Sequence, residues 1–155
     1  MSATDVTTDG RALSGLEAMR AIRDGRVPGP GVAHLLDMRV VTVEEGRVEF
    51  EIDAKPEFGN PLGTVHGGIT ATILDSAMGC AVHTALPAGA SYTTLDLSVT
   101  YLRSVPYDGR RLTAEGTTIH VGGRVATAQG RVVDGEGRLV ATATTTCLVF
   151  REPTP

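Results

Sequence analysis

The residues of this chain that are best placed to do chemistry surround one helix start. Asn60 is followed by His66, Gly67 and Gly68, and Asp75 lies further along in an apolar stretch. A helix that begins at two glycines presents free backbone N–H groups that can hold an oxyanion. A carboxylate in an apolar stretch is costly to bury unless something compensates for its lost hydration. A carboxamide, a helix N-terminus and a carboxylate together point to acyl-transfer chemistry.

The pattern around this motif predicts the elements that position it. Apolar spacing predicts a helix from Leu13 to Arg23, with Ser14 as a possible cap. Residues 67 to about 86 are apolar on nearly every side, which predicts a long, buried central helix. Short apolar segments between turns predict six strands, at residues 36–44, 47–53, 91–102, 111–121, 124–133 and 139–150. This order predicts an α+β fold in which an antiparallel sheet of about five or six strands wraps around the long helix.

Composition and length limit the classes of protein to consider. We expect a single domain over residues 12–151, with tails at residues 1–11 and 152–155. The net charge is −4, and a nucleic-acid binder would usually carry a basic patch, so we expect no nucleic-acid partner. The N-terminus has no apolar signal-peptide core, and no apolar run is long enough to cross a membrane. We therefore expect a cytoplasmic protein without a membrane partner.

The motif resembles a known family. The run from Asn60 to Gly68, followed by Asp75, resembles the hot-dog-fold acyl-CoA thioesterases of the PaaI type. The resemblance continues through residues 95–103, which are similar to that family's third strand, and residues 137–141, which are similar to the start of its last strand. It implies a hot-dog fold with a short N-terminal helix. It also implies hydrolysis of an acyl-CoA thioester, with no cofactor beyond the coenzyme A of the substrate.

The resemblance implies a role for each residue of the motif. The Gly67 N–H would polarise the thioester carbonyl, with Gly68 next to it in the substrate-binding region. Asp75 would act as a nucleophile or as a general base on water. Asn60 would orient the water or the substrate, and Thr94 would supply a hydroxyl group from the third strand. Since the acid and the oxyanion helix of this family come from different subunits, we expect a homodimer that doubles to a tetramer.

The spacing within the motif agrees with a shared site. Gly67 and Asp75 are eight residues apart, which is about 12 Å along a helix at 1.5 Å per residue. Within one chain the two can hardly reach a single carbonyl group. Two chains solve this geometry, because Asn60 and Gly67 can come from one chain and Asp75 from the other.

Simpler structural interpretations stand beside these roles. The two glycines could serve only helix–sheet packing, Asp75 could be a satisfied interface carboxylate, and Thr94 lies in a strand where hydroxyl groups are ordinary. Asn60 precedes a proline, a common setting for a turn former. His66 is a candidate for acid–base chemistry, because its pKa usually lies near neutrality. We favour a second role for His66, in which it holds the loop by hydrogen bonding.

Arginines are candidates for binding the phosphate groups of coenzyme A. A guanidinium group is a better bidentate partner for phosphate than the ammonium group of lysine. The four arginines to consider are Arg103, Arg110, Arg111 and Arg124. Gly123 and Arg124 stand together in a predicted hairpin, where a backbone N–H and a guanidinium could act together. No metal site is predicted, because the remaining histidines and both cysteines lack ligand spacing: His34, His83, His120, Cys80 and Cys147.

Two other functions remain open at this point. A hot-dog hydratase or dehydratase tends to place a histidine shortly after the acid or after an Asn-Pro pair. Here Asn60-Pro61 is followed by a histidine only at position 66, and none lies within one turn of Asp75. A non-catalytic acyl-CoA-binding protein is the other alternative, but sensors of this fold usually carry a DNA-binding domain. Residues 1–30 contain at most one helix, which disfavours a sensor.

Overall fold

The computed structural model describes residues 13–151, which form one sheet and three α-helices. The helices are α1 (Gly15–Arg23), α2 (Gly31–Leu36) and α3 (Gly67–Thr84), and a short 3-10 turn lies at Pro56–Phe58. The strands are β1 (Arg39–Glu44), β2 (Arg47–Asp53), β3 (Ser91–Tyr101), β4 (Arg111–Val121), β5 (Val125–Asp134) and β6 (Leu139–Phe150). Their order in the sheet is β1-β2-β4-β5-β6-β3, and all neighbours are antiparallel. The predicted α+β class and the sheet around a long helix are confirmed.

Helix α3 lies unusually close to the sheet at two glycines that face each other. Gly116 on β4 is paired with Gly130 on β5. A Cβ atom at Gly116 would lie 2.5 Å from the backbone nitrogen of Met78 and would also strike the carbonyl group of Ala77. A Cβ atom at Gly130 would lie 2.9 Å from the Met78 side chain. Because both positions are glycine, the backbone of α3 can approach the sheet this closely.

Half of α3 is buried: nine of its 18 residues are buried, and the face that carries Asp75 and Ser76 is half-buried. The largest side chains of the helix are fully buried in one continuous core, among them Ile73, Leu74 and Met78. Each such side chain contributes about 1.5–3 kcal/mol when it is removed from water. The core therefore fixes the position of α3 relative to the sheet, and with it the positions of Gly67 and Asp75.

The start of helix α1 packs against the C-terminal end of α3. Ser14 and Glu17 form a capping box, in which the Ser14 N–H donates to the Glu17 carboxylate (2.8 Å) and the Glu17 N–H donates to the Ser14 hydroxyl (3.3 Å). The Gly15 N–H donates to the Leu86 carbonyl (3.1 Å), and a Cβ atom at Gly15 would overlap the His83 carbonyl. The predicted cap at Ser14 is therefore confirmed.

One element differs from the sequence prediction. The strand predicted at residues 36–44 is wrong at its start, because residues 31–36 form α2 and β1 begins at Arg39. Pro30 caps α2 with an extended backbone, and Asp37 ends it in the left-handed conformation (φ 54°). A helix of six residues is too short to show a helical period, so α2 was not predicted and its last residue, Leu36, was assigned to the strand. The predicted tails at residues 1–11 and 152–155 lie outside the described residues.

Among residues 13–151, no helix has the length and apolar character needed to cross a membrane.

Replacing Gly116 with alanine should destabilise the fold. The new methyl group would collide with the α3 backbone rather than with a flexible side chain, so the helix must shift. We expect a loss of about 2–3 kcal/mol in the free energy of unfolding, at the upper end of overpacking effects. Urea denaturation of Gly116→Ala measures it. The control is Gly31→Ala, because a Cβ atom at Gly31 has no neighbour within 4 Å; equal stability of the two variants would contradict this packing.

Candidate active site

The start of α3 leaves one backbone donor open. His66 is the N-cap of the helix, and its Nδ1 accepts a hydrogen bond from the Gly68 N–H (2.9 Å). Because Nδ1 is the acceptor, the neutral ring carries its proton on Nε2. The Gly67 N–H has no acceptor within residues 13–151. Gly67 therefore presents a free donor at the positive end of an 18-residue helix, whereas the Gly68 donor is occupied by His66.

Tyr101 holds this helix start in place. Its hydroxyl donates to the Gly67 carbonyl (2.8 Å), and a Cβ atom at Gly67 would lie 3.1 Å from the ring. Gly67, Tyr101 and Arg103 line the same cleft of about 340 Å³. Sequence reasoning missed Tyr101, although it lies in the segment similar to the third strand of the family. We call this cleft the Gly67 cleft.

The side chain of Asn60 organises the loop before α3. Its Oδ1 accepts from the Leu62 N–H (2.9 Å) and the Thr64 N–H (3.2 Å), and its Nδ2 donates to the Thr64 hydroxyl (3.0 Å). The loop is then fixed to the core, because the Val65 N–H donates to the Val105 carbonyl (2.8 Å). Asn60 thus makes the contacts of a turn former, and one Nδ2 hydrogen remains for a ligand.

Asp75 lies on the flank of α3 and is held by β3. The Thr94 hydroxyl donates to Asp75 Oδ1 (2.9 Å). The carboxylate is half-buried, and it forms no ion pair within the described residues. Asp75 and Thr94 line a small pocket of about 260 Å³ together with Ala71, Thr72 and Leu97. One carboxylate oxygen is therefore oriented by Thr94, and the other has no hydrogen-bond partner in this part of the chain.

The other ionisable groups near Asp75 are not candidates for nucleophiles. Burial raises the pKa of the Cys80 thiol to about 12. Burial also raises the pKa of the Tyr92 hydroxyl. A Cβ atom at Gly79 would lie 2.8 Å from that hydroxyl, so the absence of a side chain at Gly79 makes room for Tyr92. Both groups stay neutral, so neither supplies a thiolate or a phenolate nucleophile.

Gly67 and Asp75 do not converge within one chain. The Gly67 cleft and the Asp75 pocket share no lining residue. Their separation of eight positions in sequence also corresponds to about 12 Å of helix. The chain therefore carries two separate parts of the predicted site.

The structure separates the candidate arginines into two groups. Arg110 is paired with Asp108 (2.7 Å), and Arg111 lies near Glu51 (3.3 Å) on the sheet. Arg103 and Arg124 form no ion pair within residues 13–151. These two arginines are the ones left available for an anionic ligand.

The two available arginines lie at opposite ends of the sheet. Arg103 is in the Gly67 cleft. Arg124 is exposed in the β4–β5 hairpin, next to Gly123, whose carbonyl accepts from Arg151 (3.2 Å). Strand pairing puts this hairpin at the end of the sheet that contains Thr94, because Val125 pairs with Leu148 and Thr94 with the adjacent Cys147. Arg103 therefore lies near Gly67, and Arg124 lies at the end of the sheet that contains Thr94, the partner of Asp75.

No metal centre is assembled by residues 13–151, where no three His, Cys, Asp or Glu side chains are grouped to hold an ion. His83 is partly buried, and burial lowers its pKa.

Comparisons with known proteins give a consistent family. The model of the thioesterase superfamily matches residues 62–141. A Halobacterium salinarum protein that is provisionally named an esterase is 34% identical over 114 residues, which cover 70% of this chain and 74% of that protein. Acyl-coenzyme A thioesterase 13 of Homo sapiens is 33% identical over 63 residues, which cover 41% of this chain and 44% of that protein.

A solved structure is similar over nearly its whole length. It comes from Ralstonia eutropha and is provisionally described as a thioesterase related to phenylacetic acid degradation. It is 32% identical, with a TM-score of 0.76, and the match covers 84% of this chain and 98% of that one. The resemblance to PaaI-type enzymes is thereby confirmed. With its central helix wrapped by six strands and its family match covering the part of the motif from His66 to Asp75, this chain belongs to the thioesterase superfamily, as a thioester hydrolase with the hot-dog fold.

Proposed function

We propose that this protein hydrolyses acyl-CoA thioesters at sites that two subunits share. Each site would combine Gly67 of one subunit with Asp75 of the other. The observation that carries the proposal is how both residues are held by one strand: Thr94 on β3 binds Asp75, and Tyr101 on β3 binds the start of α3 at Gly67. The name of the human relative supports coenzyme A as the thiol part of the substrate.

The open edge of β3 offers the surface for such a dimer. This strand pairs with β6 on one side, and no strand of the described residues covers its other side. It is eleven residues long, whereas β1 at the opposite edge has six. An open edge presents unpaired N–H and C=O groups to another strand. A second copy is therefore a suitable partner for β3.

Antiparallel pairing of two β3 strands would assemble the site. With a twofold axis at Ser98, and with the extra residue of the bulge between Thr94 and Asp96 counted, Thr94 lies opposite Tyr101 of the second copy. Because Thr94 holds Asp75 and Tyr101 holds Gly67, the pairing brings the acid of one subunit to the helix start of the other.

The chemistry then follows from the two half-sites. The thioester carbonyl oxygen accepts from the Gly67 N–H, and the positive end of α3 stabilises the negative charge that develops there. Asp75 either attacks the carbonyl carbon, forming an anhydride that water cleaves, or takes a proton from the attacking water. In both routes the C–S bond breaks, coenzyme A leaves as a thiolate that takes up a proton, and the acid is released. Neither route needs a further cofactor.

The alternative functions fit the site less well. A hydratase would need an imidazole near the carboxylate. No histidine of the same chain lines the Asp75 pocket, and the His66 that the other subunit would bring with Gly67 has its Nδ1 occupied by the Gly68 N–H. A protein that only binds acyl-CoA would not release its thiol. An assay of free thiol with several acyl-CoA esters distinguishes these functions, and we expect equal amounts of free coenzyme A and free acid. Binding without release would contradict the proposal.

Replacing Asp75 with asparagine should abolish most turnover without loss of folding. The change removes the base or nucleophile and keeps the volume, so we expect kcat to fall about 100-fold or more while KM changes little. The control is Glu45→Gln, which changes an exposed carboxylate in the turn between β1 and β2, away from the proposed dimer contact. Turnover by Asp75→Asn at the rate of this control would rule out the mechanism.

Replacing Thr94 with valine should lower kcat while the fold is kept. The loss of a hydrogen bond to a carboxylate corresponds to about 1.5 kcal/mol or more, which is about tenfold in rate. Thr93→Val is the matched control, because Thr93 is next to Thr94 in the strand and its side chain is exposed. Steady-state kinetics on one acyl-CoA compare the two variants; identical kcat values would show that Thr94 does not orient the acid.

Replacing Arg124 with alanine should weaken binding of the coenzyme A part of the substrate. We expect KM to rise several-fold for a full CoA thioester and much less for a pantetheine thioester, which lacks the nucleotide phosphates. Arg131→Ala is the control, since Arg131 is already paired with Glu115 (3.0 Å). Equal changes in KM for the two substrates would remove this role.

The shared site also makes the oligomeric state testable. We expect light scattering to give the mass of a dimer or of a tetramer formed by two dimers. A monomer that hydrolyses thioesters would contradict the proposal.

A further inference from the structure

A large apolar cleft lies beside the candidate acid, on the next face of α3. It is enclosed by α1, α2, the Pro-Gly segment between them and the start of the sheet, and its volume is about 680 Å³. On α3 it is lined by Ser76, the residue after Asp75, and by Cys80 one turn later. We call it the α1–α2 cleft.

The lining of this cleft suits a hydrocarbon. Its walls include Met19 and Ile22 of α1, Ala33 of α2, and Met38 and Phe50 near the sheet. Ligand pockets of this size are typically lined in this way, with only a few polar groups.

The charged residues at its rim are already engaged. Arg23 is paired with Asp24 (2.9 Å), and Arg39 is paired with Asp53 (3.0 Å). The Cys80 thiol is neutral, since burial raises its pKa to about 12. Ser76 and the exposed His34 are the other polar side chains of the lining, so a carboxyl group on a bound acyl chain would lose its hydration with few partners in return.

The other clefts around the site are suited to other parts of a substrate. The Gly67 cleft contains Arg103 and fits an anionic part. The Asp75 pocket, of about 260 Å³, is open and contains the reacting carboxylate. A broad cleft of about 620 Å³ on the sheet is lined by polar side chains such as Thr117 and Gln129, and it contains neither Gly67 nor Asp75.

We propose that the α1–α2 cleft binds the acyl chain of the substrate, and that this chain is an unsubstituted hydrocarbon of medium length. The inference rests on the proposed function, because it takes Asp75 as the site of the thioester carbonyl. From there the chain passes Ser76 and runs along α3 to Cys80, about 6 Å further at 1.5 Å per residue. It then continues towards α2, so Ala33 and Met38 set how much of the chain fits.

The chain-length profile of the enzyme tests this assignment. We would measure kcat/KM with acetyl-, butanoyl-, hexanoyl-, octanoyl-, decanoyl- and palmitoyl-CoA. Burial of one methylene group can raise kcat/KM by up to about fourfold, so we expect a steady rise that levels off when the cleft is full. Chains with a terminal carboxyl group should be poor substrates. A flat profile in the wild-type protein would overturn the proposal.

Two substitutions should move the profile in opposite directions. Ala33→Phe fills the cleft and should lower the ratio of octanoyl-CoA to butanoyl-CoA kcat/KM by about tenfold or more, because the outer methylenes lose their contacts. Met38→Ala enlarges the cleft and should move the plateau to longer chains. The control is Leu35→Phe, on the same helix but 79% exposed, which should keep the wild-type profile.

The outcomes separate this inference from the proposed function. If the wild-type protein releases coenzyme A but both cleft variants keep its profile, the cleft assignment is wrong and the hydrolytic function stands. If no acyl-CoA releases its thiol, the proposed function fails and the cleft assignment fails with it. If Ala33→Phe does not fold, the Met38→Ala profile still decides the question, and an unchanged plateau in that variant would refute the assignment.

Discussion

The close approach of α3 to the sheet at Gly116 and Gly130 is the constraint on which the rest of the structure depends. Two glycines that face each other on neighbouring strands leave room for the helix backbone at Ala77 and Met78. This contact fixes the depth of α3, and the buried side chains of the helix fix its rotation. Both chemical groups belong to the same helix, the open N–H at its start and the carboxylate on its flank. Their positions relative to the sheet therefore follow from one packing contact.

Strand β3 makes the second essential connection. It binds the flank of α3 through Thr94 and the start of α3 through Tyr101, and its other edge is open. The strand that orients the candidate catalytic groups is thus also the strand whose open edge can pair with a second copy. In the proposed dimer, assembly and activity would depend on the same register, since a shift of one residue would place opposite side chains on different faces.

Much of the fold could be predicted because its signals are local. Alternation predicted the bounds of β2, the turn residues between strands predicted those of β4 and β6, and the Ser14 cap followed from the residue types at the helix start. The family resemblance implied that Thr94 supplies a hydroxyl group to the site, and the structure adds that this hydroxyl donates to Asp75. By contrast, α2 has too few residues to show a period. The roles of Gly116 and Tyr101, and the ion pairs that occupy Arg110 and Arg111, depend on contacts between distant segments that no local pattern encodes.

Complementation between two inactive chains tests the shared site most directly. Asp75→Asn removes the acid, and Gly67→Pro removes the open N–H at the first position of the helix, where proline is tolerated. When the two variants are mixed and their subunits exchange, half of the dimers are mixed and each has one intact site, so about one quarter of the wild-type activity should return. Mixing Asp75→Asn with a chain that carries both substitutions is the control and should stay inactive. If both single variants fold and form dimers but their mixture shows no activity, the shared site is contradicted.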